Sequence, residues 1–293
     1  MRYVRASERQ EVTPTRRPRP ARRPAEAKER SRRARNQSPM PALDLLEWLR
    51  DQCAAYEFDV TALYRRSGDH AWPLNASDRD DLERQLEEGG HFLPLPKEPA
   101  ALANIVEVSV VDYLIDRATG FMSLDVARGT ERGYPDLEFS GDAVDSQFTA
   151  VDVKVARRGA SRRRTQSRIT LYTGNTYFRY PQLQWPGTFR PFQDYARHLT
   201  LLCIYTLEES SYSRVSDLEL IVQETWRIAS RQRSSTTREY IGAVDGIEDL
   251  RRGVGEFDSL ADFYAYWRRF NFRIGRAVQQ QLDRLLREQT SES

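Results

Sequence analysis

The chain has 293 residues, 39% of them hydrophobic, with 45 Lys and Arg against 43 Asp and Glu for a formal net charge of +2. That length suffices for one domain with a sizeable core. Two cysteines and three scattered histidines exclude a disulfide scaffold and a zinc finger, and with no bilayer-spanning apolar run and no signal peptide with a hydrophobic centre a reduced, cytoplasmic protein is expected.

Charge is spread unevenly along the chain. Residues 1–39 hold twelve arginines and one lysine against four glutamates, a net of +9, which leaves residues 40–293 at −7. Rich in Arg, Pro, Ser and Ala and nearly devoid of large apolar side chains, residues 1–39 cannot bury a core. They are expected to form a disordered tail that attaches weakly and salt-sensitively to nucleic acid. Met40-Pro41-Ala42-Leu43-Asp44-Leu45-Leu46 also reads as a natural beginning, so a tethering arm and an over-early start both stand as readings of the tail. Residues 40–293 are expected to form the folded body.

A helix is predicted from about Ala42 to Tyr56, then a strand-like stretch near Phe58 to Tyr64 and a turn at Ser67-Gly68-Asp69. Residues 75–100 are polar with Gly and Pro and hold one short helix. Ala101 to Thr119 carries a helical stripe at Leu102, Ile105, Val106, Val110, Leu114 and Ile115, with Glu107 at its edge. Leu137-Glu138-Phe139 opens a short strand, Ser140-Gly141-Asp142 supplies turn chemistry, and Phe148 to Val155 returns as a second strand.

Only three lysines stand beside 42 arginines, and one of them, Lys154, lies in Ala150-Val151-Asp152-Val153-Lys154-Val155. Arginine is broad, planar and always charged, whereas lysine is a compact ammonium with an adjustable pKa that can point at one oxygen or one water. Asp152 and Lys154, two apart on a strand, leave the same face roughly 7 Å apart along the chain. A hairpin brings Asp136, from Tyr134-Pro135-Asp136, close to Asp152. Two adjacent carboxylates repel unless a hard divalent cation such as Mg²⁺ lies between them and a substrate phosphate. Asp136, Asp152 and Lys154 therefore read as a nuclease centre, the lysine stabilising charge on the phosphate or assisting the attacking water. The plainer alternative is a surface ion pair on the wet side of a half-buried strand, with Val151, Val153 and Val155 facing the core.

An arginine run follows at Arg157, Arg158, Arg162, Arg163, Arg164 and Arg168, placed to meet phosphate. Ile169 to Tyr180 is β-branched and aromatic with a turn at Gly174-Asn175, and Asp194 to Leu207 is predicted to be a buried, nearly all-apolar helix. Leu218 to Ile228 alternates like a strand. Ser259-Leu260-Ala261-Asp262 is a capping box that opens a C-terminal helix pair reaching about Arg287. Helices and strands around a central mixed sheet make the class α/β or α+β.

At several points the chain resembles the EcoRV-type type II restriction endonucleases of the PD-(D/E)xK nuclease superfamily. Gly133-Tyr134-Pro135-Asp136 and Val151-Asp152-Val153-Lys154 look like that family's two catalytic segments. Phe192-Gln193-Asp194-Tyr195-Ala196-Arg197-His198 is similar to its Phe-x-x-Tyr-x-x-His helix start. Val222-Gln223-Glu224-x-Trp226-x-Ile228-Ala229 resembles the strand leading to the DNA-recognition loop, and Gly255-x-Phe257-Asp258-Ser259 through Phe263, Tyr266-Trp267-Arg268 the segment beyond it. The likeness covers about residues 43–272.

The resemblance implies a Mg²⁺-dependent homodimer that cuts both strands of a short palindromic double-stranded DNA site, one active site per strand. It implies 5′-phosphate, blunt ends, and a companion methyltransferase acting on the same site. Asp136, Asp152 and Glu107 would bind metal, Glu107 matching a glutamate on the helix before the hairpin, with Glu87 as the rival alignment. The recognition loop falls on Arg231, Gln232, Arg233, Ser234, Ser235, Thr236, Thr237, Arg238 and Glu239, where Arg pairs with guanine and Gln with adenine in the major groove. Residues Phe58 to Leu74 would contribute the dimer contact. This loop holds less Gly and Asn than the family's, and Thr130-Glu131-Arg132 replaces amides that approach the minor groove, so the recognised bases stay open. Two rivals remain, a structure-specific repair nuclease of the superfamily and a non-catalytic nucleic-acid-binding protein.

Overall fold

The computed structural model describes residues 42–58, 77–78, 80–81, 84, 99–130, 133–172, 176–210, 213–235 and 240–292. Beyond Phe58, the predicted strand-like stretch, the turn at Ser67-Gly68-Asp69 and the dimer contact lie outside the described residues, as do the tail, Glu87 and the turn at Gly174-Asn175.

Helix α1 (Leu45–Ala54) starts where the Asp44 carboxylate accepts the Leu46 N–H, and its residues Leu45, Leu49 and Cys53, four apart, are buried. Helix α2 (Pro99–Thr119) opens on a proline, whose missing N–H costs nothing in a first turn. Its buried stripe runs through Leu102, Val106, Val110, Val111, Leu114 and Ala118.

Both helices cover one face of a five-stranded sheet of order β1-β2-β3-β5-β6. The strands are β1 (Asp125–Arg128), β2 (Leu137–Ser140), β3 (Thr149–Arg157), β5 (Arg197–Leu207) and β6 (Val215–Glu224). Only β3 and β5 pair in parallel; the other neighbours are antiparallel, so the sheet is mixed and the fold α+β, as expected. At the β2 to β3 turn Gly141 adopts φ 104, a value that favours glycine.

The predicted helix over Asp194 to Leu207 is instead a 3-10 turn at Phe192–Asp194 followed by strand β5. The physical reason is burial on both faces. Leu199, Leu201 and Cys203 face the α1–α2 side, while Leu202 and Ile204 face the other layer. A central strand in that position reads as an unbroken apolar run without period-2 alternation. The predicted strand over Leu218 to Ile228 is likewise divided, β6 ending at Glu224 and a 3-10 turn occupying Thr225–Ile228.

The opposite layer holds a small sheet of order β4-β8-β7, made of β4 (Thr170–Tyr172), β7 (Ala229–Arg233) and β8 (Ile241–Ala243). With it stand one-turn α3 (Thr176–Arg179), α4 (Ile247–Arg252), α5 (Leu260–Arg269) and α6 (Arg276–Glu292). Helix α5 starts as its sequence predicts, the Ser259 hydroxyl accepting the Asp262 N–H at 3.1 Å, and it buries Phe263 and Trp267. No helix among the described residues is long and apolar enough to cross a membrane.

Candidate active site

Strands β2 and β3 pair Leu137 with Val151 and Glu138 with Ala150, and one further step of that register sets Asp136 opposite Asp152. The Val153 N–H donates to Asp136 Oδ2 at 2.6 Å, which fixes the carboxylate against the neighbouring strand. Lys154 Nζ lies 2.5 Å from Asp152 Oδ2 and 3.8 Å from Asp136 Oδ2. The expected hairpin thus brings the three side chains together. They are not an ordinary surface pair, since the Asp152 side chain is only 8% exposed and that of Lys154 27%.

Burial shapes the electrostatics. Loss of water pushes the Asp152 carboxyl up; the Lys154 ammonium pulls it back and the Asp136 charge pushes it further. Desolvation alone would lower Lys154, but the carboxylates of Asp152 and Asp136 reverse this and hold the ammonium above its ordinary range. On α2, burial raises Glu107 first, and the like charge of Asp136 adds to it, against Lys154 and Arg128. Glu107 therefore senses the same pocket. Among the described residues no three His, Cys, Asp or Glu side chains converge as a ready-made metal cage.

The segment that presents Asp136 is wedged in place. A side chain at Gly133 would strike the Gly187 carbonyl oxygen, and the Gly129 N–H donates to the Asp136 carbonyl at 2.8 Å. Tyr134, joined to Pro135 by a cis peptide, sits among Tyr172, Tyr177 and Phe192 with ring centroids 5.4–5.9 Å away. Its hydroxyl meets His198 Nδ1 at 2.7 Å. Burial pushes His198 down to about 3, opposed by a hydrogen bond to the Phe192 backbone.

A second pairing escaped the sequence reading. Glu138, buried on β2, receives both Nε and Nη2 of Arg190 at 2.7 Å and the Tyr195 hydroxyl at 2.9 Å. The Arg190 guanidinium also lies 3.2 Å from the Phe148 ring centroid. A glutamate inside Leu-Glu-Phe was the only hint, because its partner lies 52 residues away.

Of the arginine run, Arg158 pairs with Glu219 at 2.6 Å, Arg162 with Asp217 at 3.4 Å and Arg164 with Asp245 at 3.5 Å. Much of its charge is therefore engaged within the protein. Of the predicted DNA-reading residues, Arg231, Arg233, Ser234 and Ser235 lie on or just after β7, while Arg132, Thr236, Thr237 and Arg238 lie outside the described residues.

A mixed five-stranded sheet flanked by helices, with two acids and a lysine on adjacent strands, defines a restriction-endonuclease-like core. A family model described as restriction endonuclease EcoRV matches residues 68–288, about three quarters of the sequence, and the chain belongs to that family. No curated protein compared with the chain matches it.

Proposed function

We propose that the chain is a type II restriction endonuclease that makes Mg²⁺-dependent double-strand cuts, blunt and with 5′-phosphate ends, within a short palindromic DNA site. The observation that carries this is the contact of Lys154 with both Asp152 and Asp136 in a largely buried pocket. Two carboxylates, Asp136 and Asp152, share that pocket with one ammonium, a formal excess of one negative charge, and Glu107 adds its charge from α2. Hard oxygen donors with that excess fit a divalent cation.

A bound divalent ion would add positive charge at the scissile phosphate and lower the pKa of a bound water. Asp136 and Asp152 would hold it, with Glu107 assisting. Lys154 donates a hydrogen bond to a non-bridging phosphate oxygen or to the attacking water, and its two carboxylate neighbours keep it charged for either role. The water oxygen forms the new bond to phosphorus as the bond to the 3′ oxygen breaks, giving a 5′-phosphate and a 3′-hydroxyl. Arg132, Arg233, Ser234, Ser235, Thr236, Thr237 and Arg238 supply the DNA contacts, while Arg231, expected among them from the sequence, bonds to Glu256 and Asp262 within the protein.

In this reading two copies pair about a two-fold axis that matches the palindrome, with Phe58 to Leu74 at the contact. The enzyme acts in the cytoplasm beside a methyltransferase that protects the same sequence. Digestion of a sequenced plasmid with Mg²⁺, followed by sequencing of the fragment ends, tests the reading. Discrete fragments sharing one palindrome and flush ends are expected; a smear, or cutting only at nicks and flaps, would replace it with a structure-specific repair nuclease.

A further inference from the structure

Strand β7, which leads into the recognition segment, is gripped from two sides. Arg168 Nη1 donates to Ser230 Oγ at 2.9 Å and to the Ala243 carbonyl at 3.1 Å, and its Nη2 donates to Gln232 Oε1 at 2.9 Å. Thr170 Oγ1 donates to Ser234 Oγ at 2.8 Å. Alternate residues of β7 and the position after it are thus tied to β4 and the approach to it.

Arg231 points the other way and closes on α5. Its Nε donates to the Glu256 carbonyl at 3.0 Å and its Nη2 to Asp262 Oδ2 at 3.0 Å. The guanidinium carbon lies 4.8 Å from the Phe257 ring centroid and 5.3 Å from that of Tyr266. The backbone of the same residue is held too, its N–H donating to Glu256 Oε2 at 2.6 Å and its carbonyl accepting the Tyr266 hydroxyl at 3.0 Å. The anchor is firm, because Asp262 lies in the capped first turn of α5 and the next residue, Phe263, is buried.

An arginine reads guanine through two parallel N–H bonds. Here the Nε–Nη2 edge is already given to protein acceptors, and two ring faces hold the plane. An isolated ion pair with side chains 42% and 39% exposed stabilises little. A guanidinium that joins one carboxylate, one carbonyl and two rings, on a residue whose own backbone makes two more bonds, fixes direction instead.

Resting on the restriction reading above, we propose that Arg231 is a positioning residue. Its latch on Asp262, Tyr266, Phe257 and Glu256 sets the angle at which β7 delivers residues 232–235 to the DNA, and so governs discrimination between the target and near-target sites.

The test uses the full chain with Mg²⁺, the duplex target identified by plasmid digestion, and duplexes altered at one base pair. Arg231→Ala and Asp262→Asn are each expected to lower the target to near-target ratio of kcat/KM about tenfold, within the range of one mispaired position. The loss falls mainly in KM. The double variant is expected to lose no more than Arg231→Ala alone, since the two share one interaction. Arg231→Lys, which cannot span carboxylate, carbonyl and rings, is expected to rescue little.

Thermal midpoints identify any variant that fails to fold; Asp262→Asn and Tyr266→Phe, which remove one charge and one hydroxyl, then carry the test. Discrimination unchanged in Asp262→Asn and Tyr266→Phe, while Arg231→Ala loses preference at a single base pair, would mean that Arg231 reads a base and would overturn the latch. Unchanged discrimination in all of them overturns it as well. A wild-type chain that cuts without sequence preference removes the restriction reading and the latch together.

Discussion

Lys154 reaches two carboxylates because Asp152 precedes it by two on β3 and Asp136 lies one register step beyond the β2–β3 ladder. Glu107 on α2 feels the Asp136 and Lys154 charges but makes no ion pair with Lys154, so Glu107→Gln is expected to slow cutting about 10- to 100-fold, the range of a supporting group. A loss as deep as that of an aspartate substitution would place it among the principal ligands. His198 offers a pH prediction. Its folded value of about 3 lies below the roughly 6.5 of an unfolded histidine. Between those values the unfolded chain binds a proton that the folded chain does not, so stability is complete above about pH 6.5 and drains away as pH falls toward 3. His198→Gln should therefore flatten the dependence of melting temperature on pH between about 6.5 and 5; an unaltered slope would contradict the burial argument. At this scale the trio Asp136, Asp152 and Lys154 was legible because one hairpin brings it together. Tyr134 with His198 and Glu138 with Arg190 were not, since 64 and 52 residues separate the partners and no local period links them.

Among elements, those with a local signal were legible. Ser259 announces α5, and Ser140-Gly141-Asp142 announces the turn between β2 and β3. Strand β5 was misread as a helix because a strand between two others, buried on both faces, shows only an apolar run, and what distinguishes it is its partners β3 and β6. Two-sided burial has an energetic consequence. Leu201 is fully buried in β5, and Leu201→Ala is expected to cost about 2–5 kcal/mol, measured as a lower urea midpoint. A cost under about 1 kcal/mol would mean that the strand is not enclosed on that face.

Over the whole molecule, the two faces of the central sheet divide the work. Helices α1 and α2 close one apolar layer; the other face carries Ala150, Leu202 and Ile204 against β4, β7, β8 and α5, with Asp152 and Lys154 on the same side of β3 as Ala150. The candidate acid and lysine residues and strand β7 therefore share a layer, which was not legible in the sequence because β4 meets its partner β8 across some 70 residues. Charge is divided too, residues 40–293 carrying −7 against +9 in residues 1–39. A chain beginning at Met40 is expected to keep the cutting pattern while its binding to non-specific DNA loses salt sensitivity; an identical salt slope would remove any DNA role for residues 1–39.

The proposed cleavage turns on one acid and lysine pocket acting through a divalent ion. Its most direct test is the rate of Mg²⁺-dependent cleavage of a target duplex by the wild-type chain beside folded Asp136→Asn, Asp152→Asn and Lys154→Ala variants. Sequence-selective cutting that stops with a chelator and falls at least about 100-fold in each variant is predicted. Cutting at near wild-type rate by any of the three, or an intact duplex with the wild-type chain in magnesium or manganese, would contradict it.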